Sequence, residues 1–477
     1  MRRASRFLPV LLLPAALLAV DRSKPPAAGE PRPFRMPATT KLVLGNGLPV
    51  TVAEMREVPV VSAVLVVKSG AAVDPPSRHG LAWLVAELLD EGAAGRDALA
   101  LDDAISVLGA RLTTRATWDG SSVSLSVPAS RFPEALALMA DVAVRPDFPE
   151  KELTRVRKET FAALLAARSD PDEIARRALL LGVFGKSHRY GAPLGGDART
   201  LSAIGVADVR SFHSARYRPG NAALVVAGDV TAASLAPLLE RTFGSWEAGA
   251  TASAAVPAPK GLATRRVLLV DKPGAEQSAL RAGLVGPPRA TPDLPVLEVV
   301  NTLLGGSFTS RLNDNLRERH GWTYGAYSYF DTRKVGGLFA VATDVETAVT
   351  ADAVSEIVKE LQRIRTPAPP AEVDRARRYY ALGLPKEVET TGQVAARLAD
   401  SALNGLPDGY WEDLVARALA ADGKALQAAA RARIDPGVLS VVVVGDRAKV
   451  EAPLRALKLG DLTVATLDEV MGAPPPE

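Results

Sequence analysis

The 477 residues are too many for one ordinary hydrophobic core, and 47% apolar with 23% charged residues is the composition of a soluble globular protein rather than a disordered or fibrous one. The formal charge of +3 is small for this length, and no run of Lys and Arg interleaved with aromatics marks a nucleic-acid groove, so DNA and RNA are excluded as expected partners. With no cysteine there is no disulfide, thiolate metal site, lipoprotein anchor or cysteine nucleophile.

The chain opens with Arg2, Arg3 and Arg6 ahead of an apolar run from Leu8 to Val20, the charged and hydrophobic regions of a secretory signal, assigned to residues 1–22. The run is shorter than the about 20 residues a bilayer span wants. Export, to a periplasm, is the expectation, with membrane attachment only if the segment stays uncleaved. Residues 23–39, rich in proline, read as a disordered spacer.

From Thr40 the pattern turns to strands. Leu42 to Leu44, a turn at Gly45-Asn46-Gly47 and Leu48 to Ala53 give a hairpin signal, and Val58 to Val67 is a β-branched run for a buried strand. Helical periodicity follows at Gly80 to Asp90, Ala98 to Leu108, Arg131 to Val144 and Glu150 to Arg168, with an alternating strand at Ser121 to Val127 among them.

The chain then repeats itself. Tyr217-Arg218-Pro219-Gly220 leads into the strand Ala223 to Ala227 and ends at Gly228-Asp229; Ile434-Asp435-Pro436-Gly437 leads into Leu439 to Val444 and ends at Gly445-Asp446. Between the copies, residues 249–262 carry Ala, Pro and Gly without periodicity and read as a linker. The second half restarts with a strand, Arg266 to Asp271, and carries a helix from Thr350 to Arg363 with Val354, Ile357, Val358 and Leu361 on one face and Thr350 as N-cap. The fold class expected is α+β in two homologous domains, 40–248 and 263–471, each a mostly antiparallel sheet flanked by helices.

Several segments carry a family likeness. Leu44 to Leu48, Lys68-Ser69-Gly70-Ala71 at a strand end, Gly80-Leu81-Ala82 opening a helix and His188-Arg189-Tyr190-Gly191 together resemble the insulinase, pitrilysin and mitochondrial processing peptidase family. The resemblance covers nearly everything after residue 40 and implies a half-clamshell arrangement of the two domains. In active members of that family the helix after Gly-Leu-Ala carries His-x-x-Glu-His, two zinc ligands and a general base, and a second glutamate about 75 residues on completes the site. Alignment places Trp83 at the first histidine, Ala86 at the base, Glu87 at the second histidine and Ala162 or Ala163 at the last glutamate.

One carboxylate and an indole cannot build a tetrahedral zinc site, so no metal and no catalytic residue are expected in this chain alone. His79, His188, His213 and His320 are scattered, and Glu87 with Glu91 reads as a solvated helix edge.

The second half keeps more of the family pattern. Leu304-Gly305-Gly306-Ser307 resembles a cleft loop, and Arg317 with Tyr324 seven positions later resembles the family's Arg/Tyr pair, which the resemblance implies would hold substrate and stabilise the tetrahedral intermediate at a zinc-bearing partner's site. The alternative is that Arg317 pairs with a local carboxylate and Tyr324 is a core aromatic.

Other chemistries lack their parts. Gly185-Lys186-Ser187 has Leu180 where a phosphate-binding loop needs glycine, and Ser307 lacks the glycine that a nucleophile elbow needs after it. The expectation is a non-catalytic subunit of a zinc metalloendopeptidase heterodimer that binds peptide, with zinc in the partner. A structural or peptide-binding family member stands as the alternative, and an active peptidase with a displaced zinc site comes third.

Overall fold

The computed structural model describes residues 33–249 and 255–476. The expected leader, most of the spacer and part of the linker lie outside them. Among the described residues no helix is long and apolar enough to cross a membrane.

The first sheet is built from β1 (Thr39–Val43), β2 (Pro49–Glu54), β3 (Val60–Val67), β4 (Arg111–Ala116), β5 (Ser121–Pro128) and β6 (Ala222–Gly228), in the order β1-β2-β6-β3-β5-β4. β1 and β2 form the expected hairpin, with Thr39 opposite Ala53 and the turn closed by the Gly47 N–H donating to the Leu44 carbonyl at 2.8 Å. Only β2 and β6 run parallel; the other neighbours are antiparallel.

The second sheet comprises β7 (Arg266–Asp271), β8 (Gln277–Gly286), β9 (Ala326–Asp331), β10 (Gly337–Glu346), β11 (Ser440–Gly445) and β12 (Asp461–Ala465), in the order β12-β7-β11-β8-β10-β9. Five strands therefore repeat in order and polarity, β2-β6-β3-β5-β4 answering β7-β11-β8-β10-β9, and each Pro-Gly turn of the sequence repeat launches the buried strand, β6 or β11, that pairs parallel with β2 or β7. The edges differ: β1 pairs antiparallel with β2, whereas β12 is parallel to β7.

Both central strands are apolar on both faces, so each sheet needs cover on two sides. One face of each is covered by helices of its own half, and the opposite face by a helix from the other half. Helix Thr391–Asn404 lays Val394, Ala395 and Ala399 on Val64, Val66, Val225 and Ala227 of the first sheet. Helix Pro171–Phe184 lays Ile174, Ala178 and Leu179 on Ala279, Val442 and Val444 of the second.

Small residues let these helices sit close: a Cβ on Gly182 would overlap the Ser440 hydroxyl. Each fully buried Val or Leu contributes roughly 1.5–3 kcal/mol, so the exchanged helices bind the halves through the same apolar burial that forms each core.

One expected cap is corrected. Helix Thr350–Arg363 buries Val354, Ile357, Val358 and Leu361 as read, but Val349 is its N-cap. Thr350 is the first helical residue, and its buried hydroxyl lies 2.8 Å from the Thr347 carbonyl and 2.7 Å from the Ser278 hydroxyl. The side chain secures the helix to β8 instead of capping free amides.

Candidate functional site

In the first half, helix Leu81–Leu88 has no capping side chain of its own; its cap comes from Asp74, outside the helix. The Asp74 carboxylate accepts from the Gly80 N–H (2.8 Å) and the Ala82 N–H (2.9 Å), and also from the Arg189 guanidinium at 2.8 Å. Both charged side chains are buried, a geometry in which the ion pair and the two amides satisfy one another out of water. Gly80 sits at φ +95°, and a Cβ there would overlap the Gly195 carbonyl oxygen, so the helix start is pressed against the loop that follows Arg189.

On this helix Trp83 is half-buried, packs against the first core and lies over the Gly195 backbone. Ala86 is fully buried. Glu87 is partly buried, and burial first, then Asp90 and Glu91, hold its carboxyl above the ordinary range. Asp90 is pushed up to about 6, chiefly by burial.

The reading of Glu87 with Glu91 as a solvated helix edge is corrected, because the helix ends at Leu88 and Glu91 pairs with Arg155 at 2.6 Å. Arg155 also holds Glu152 (2.7 Å) and Glu159 (2.9 Å), tying the end of this segment to helix Glu150–Ala167. Ala163, on that same helix, is exposed.

The donor set therefore does not fit zinc. Glu87 is the one ligand-type side chain among Trp83, Ala86, Glu87 and Ala163, and among the described residues no group of three or more His, Asp or Glu stands together as a possible metal site.

The histidines have other surroundings. His79 and His213 are both held down to about 4, chiefly by burial. His320 stacks on Trp322 at 4.0 Å, and His188 shares a hydrogen bond with the Pro257 carbonyl at 2.9 Å. His188-Arg189-Tyr190-Gly191 thus works as a structural knot: Arg189 holds Asp74, and fully buried Tyr190 packs edge-on to Trp118 at 5.3 Å. Asp74, the centre of this arrangement, was not legible from sequence, since a lone Asp in a polar loop carries no distinguishing pattern.

In the second half, helix Leu294–Leu304 ends at Gly305. A Cβ on Gly305 would overlap the Ser328 backbone nitrogen and stand 2.9 Å from Leu312 Cδ1, so glycine lets the loop lie against the outer edge of β9. Gly306 crosses close to Asn301, and the Ser307 hydroxyl donates to the Thr302 carbonyl at 3.1 Å. Both glycines are explained by close packing.

Arg317 lies on a π-helical turn, Asp314–Arg319, in which the His320 N–H reaches back to the Asn315 carbonyl at 3.2 Å. Such turns widen the helix and are frequent at functional sites. The Arg317 guanidinium stands 4.2 Å over the Phe308 ring and 3.7 Å from the Glu318 carboxylate. Phe308 is 63% exposed and Tyr324 93%. Tyr324 is thus no core aromatic, while Arg317 does have the local carboxylate. The loop and Arg317 meet through Phe308; among the described residues no hydrogen bond, ion pair or ring contact joins them to the Trp83 helix.

Residues 50–196 match the family model described as insulinase (peptidase family M16), and residues 203–380 match that of the peptidase M16 inactive domain. The chain is 26% identical over 391 residues to an uncharacterized zinc protease of Mycobacterium leprae, covering 80% of this chain and 87% of that protein. It is 23% identical over 296 residues to the uncharacterized zinc protease YmxG of Bacillus subtilis, covering 62% and 71%. A peptidase M16 inactive domain from Pseudomonas fluorescens superposes with a TM-score of 0.81 at 24% identity, over 86% of this chain and 98% of that one. A protease from Helicobacter pylori gives 0.78 at 20% identity, over 86% and 100%.

Proposed function

Because the chain belongs to the insulinase (peptidase M16) family, we propose that it is the non-catalytic subunit of a two-chain zinc metalloendopeptidase. In this reading it helps hold a peptide and lends Arg317 and Tyr324 to the active site of a zinc-bearing partner. The observation that carries the reading is the donor set on the first-half helix: an indole at Trp83, a buried methyl at Ala86, one carboxylate at Glu87 and an exposed methyl at Ala163.

The partner's zinc would supply the activated water. From this chain, the Arg317 guanidinium and the Tyr324 phenol are N–H and O–H donors suited to peptide carbonyls and to a developing oxyanion. The outward-facing Tyr324 supports a role toward another molecule, since a phenol at 93% exposure adds nothing to its own core. The Gly305-Gly306-Ser307 loop, through Phe308, sets the position of Arg317. The leader-like first residues favour a pair that works outside the cytoplasm, in a periplasm.

A second reading is a structural or peptide-binding subunit with no part in hydrolysis. It is favoured by Arg317 already having Glu318 and Phe308 as neighbours.

Peptidase activity, with and without a chelator, in material co-purified with this chain from its host separates the two when compared with the isolated chain. Chelator-sensitive activity is expected only in the co-purified sample. In a reconstituted pair Arg317→Ala is expected to lower the rate by about 10²–10³, the loss of one oxyanion donor. An unchanged rate rejects the lending of Arg317 and leaves the structural reading.

A further inference from the structure

A cavity of about 470 Å³ lies between the β4–β5 turn of the first half, at Thr117 to Asp119, and helices of the second half. Its walls carry three guanidinium groups against four carboxyl groups. Arg289 donates to Asp400 at 2.7 Å and to the Tyr410 hydroxyl at 2.6 Å. Arg333 donates to Asp331 at 2.6 Å. Arg397 contacts Glu387 and lies 4.7 Å over Trp411. Asp119 accepts from the Lys334 N–H at 2.8 Å.

The group left over is Glu298. It projects into the cavity from Leu294–Leu304, a mostly apolar helix, and among the described residues its carboxyl has no hydrogen bond or ion pair. The Tyr380 hydroxyl, from helix Pro370–Gly383, lines the same space and is likewise without a hydrogen bond. Glu298 is partly buried, and Arg289 and Arg397 act on it through space without bonding to it, so its carboxylate keeps unfilled acceptor positions at the cavity wall.

The chemistry of the missing partner follows from what the walls offer. A metal ion would need donors brought closer together, since among the described residues no group of three His, Asp or Glu is placed so that it could hold one. A further anion would have no free cation to meet. A compact ammonium has three donors for the Glu298 carboxylate and the Tyr380 oxygen, and its alkyl chain would run beside Trp118, Phe330 and Trp411, apolar ring surface suited to methylenes.

We propose that this cavity binds a primary ammonium group carried on an alkyl chain, a free amine or a lysine side chain of a bound peptide, with Glu298 as its counter-ion. The inference stands apart from the two-chain reading, because it needs neither a partner nor turnover.

The pH dependence is set by the groups facing Glu298. Arg289 from the preceding loop and Arg397 from helix Thr391–Asn404 lower its pKa, yet burial prevails and pushes the carboxyl up to about 7. Asp400 on that same helix is held by Arg289, and Tyr380 is kept neutral by burial. Tyr410, at the start of helix Tyr410–Ala420, is occupied with Arg289. The ionised carboxylate that an ammonium needs is therefore the main form at pH 8 and a small fraction at pH 5.5.

The test is calorimetric titration of the whole chain with n-pentylamine, with an N-acetylated lysine peptide amide and with neutral n-pentanol. Amine or lysine binding at pH 8 is expected to weaken at least tenfold at pH 5.5 and at least tenfold in Glu298→Gln, with pentanol far weaker throughout. A thermal melt checks that the isosteric variant is folded, and Tyr380→Phe, expected to weaken binding less, gives an independent readout. Preference for pentylamine assigns a free amine, and preference for the peptide assigns a lysyl side chain. Absence of binding by either at millimolar concentration, or binding undiminished in Glu298→Gln, overturns the proposal.

Discussion

Two regions of this chain, the helix that bears Trp83 and the segment from Gly305 to Tyr324, are the ones that resemble parts of a family active site, and they face their surroundings in opposite ways. On helix Leu81–Leu88 the aligned positions are filled inward: Ala86 is fully buried, and Trp83 lies on the Gly195 backbone under a helix start clamped by Asp74 and Arg189. Around Gly305 to Tyr324, Gly305 and Gly306 are packed, but Phe308 at 63% and Tyr324 at 93% exposure are turned to solvent. A helix face filled by packing contributes to stability, whereas aromatic groups held outward on a braced segment keep the capacity to meet a second molecule. The comparison can be broken from either side.

The largest effect is expected on the packed side. Asp74→Ala strands the buried Arg189 guanidinium and leaves the Gly80 and Ala82 amides without their acceptor. Removing one member of a buried pair costs about 3–5 kcal/mol, read as a lowered urea midpoint at unchanged slope. A loss below about 1 kcal/mol would mean that the pair behaves as a surface salt bridge and that the clamp is not what fixes the helix. Next comes Gly305→Ala, which places a methyl on the Ser328 nitrogen and against Leu312. Overpacking of this kind costs about 1–3 kcal/mol, visible in the same denaturation, and an unchanged midpoint would show that the loop can lift off β9 without penalty.

Much of the scaffold is legible in the sequence. The alternation in Ser121 to Val127 and the β-branched run ending at Val67 gave strands within a residue or two of those observed, and the two Pro-Gly turns marked the duplicated central strand of each sheet. The exchanged helices were not readable. Periodicity in Pro171–Phe184 and Thr391–Asn404 says that a face is buried but not that it is buried against the other half's sheet, because the apolar pattern is the same either way.

Thr350 misled for a related reason: a threonine before a helix has the composition of a cap, and only packing shows that its hydroxyl turns to Ser278. Glu298 did carry a signal, a lone carboxylate inside the apolar run Leu294 to Leu304, that could have been weighed as a buried charge.

The smallest effect on stability is expected at the outward-facing end, and there it is the most informative. Tyr324→Phe deletes one hydroxyl from a side chain that is 93% exposed and makes no hydrogen bond among the described residues, so its folding free energy should stay within about 0.5 kcal/mol of the parent. If the phenol acts on a peptide held by a zinc-bearing partner, the same change removes an O–H donor aimed at developing charge, and the rate of the reconstituted pair should fall with little change in KM. A neutral folding result with an altered rate would place the function of Tyr324 outside its own chain. A neutral result in both would leave the residue exposed without a task, and would move the weight of the argument to Arg317 and its contacts with Phe308 and Glu318.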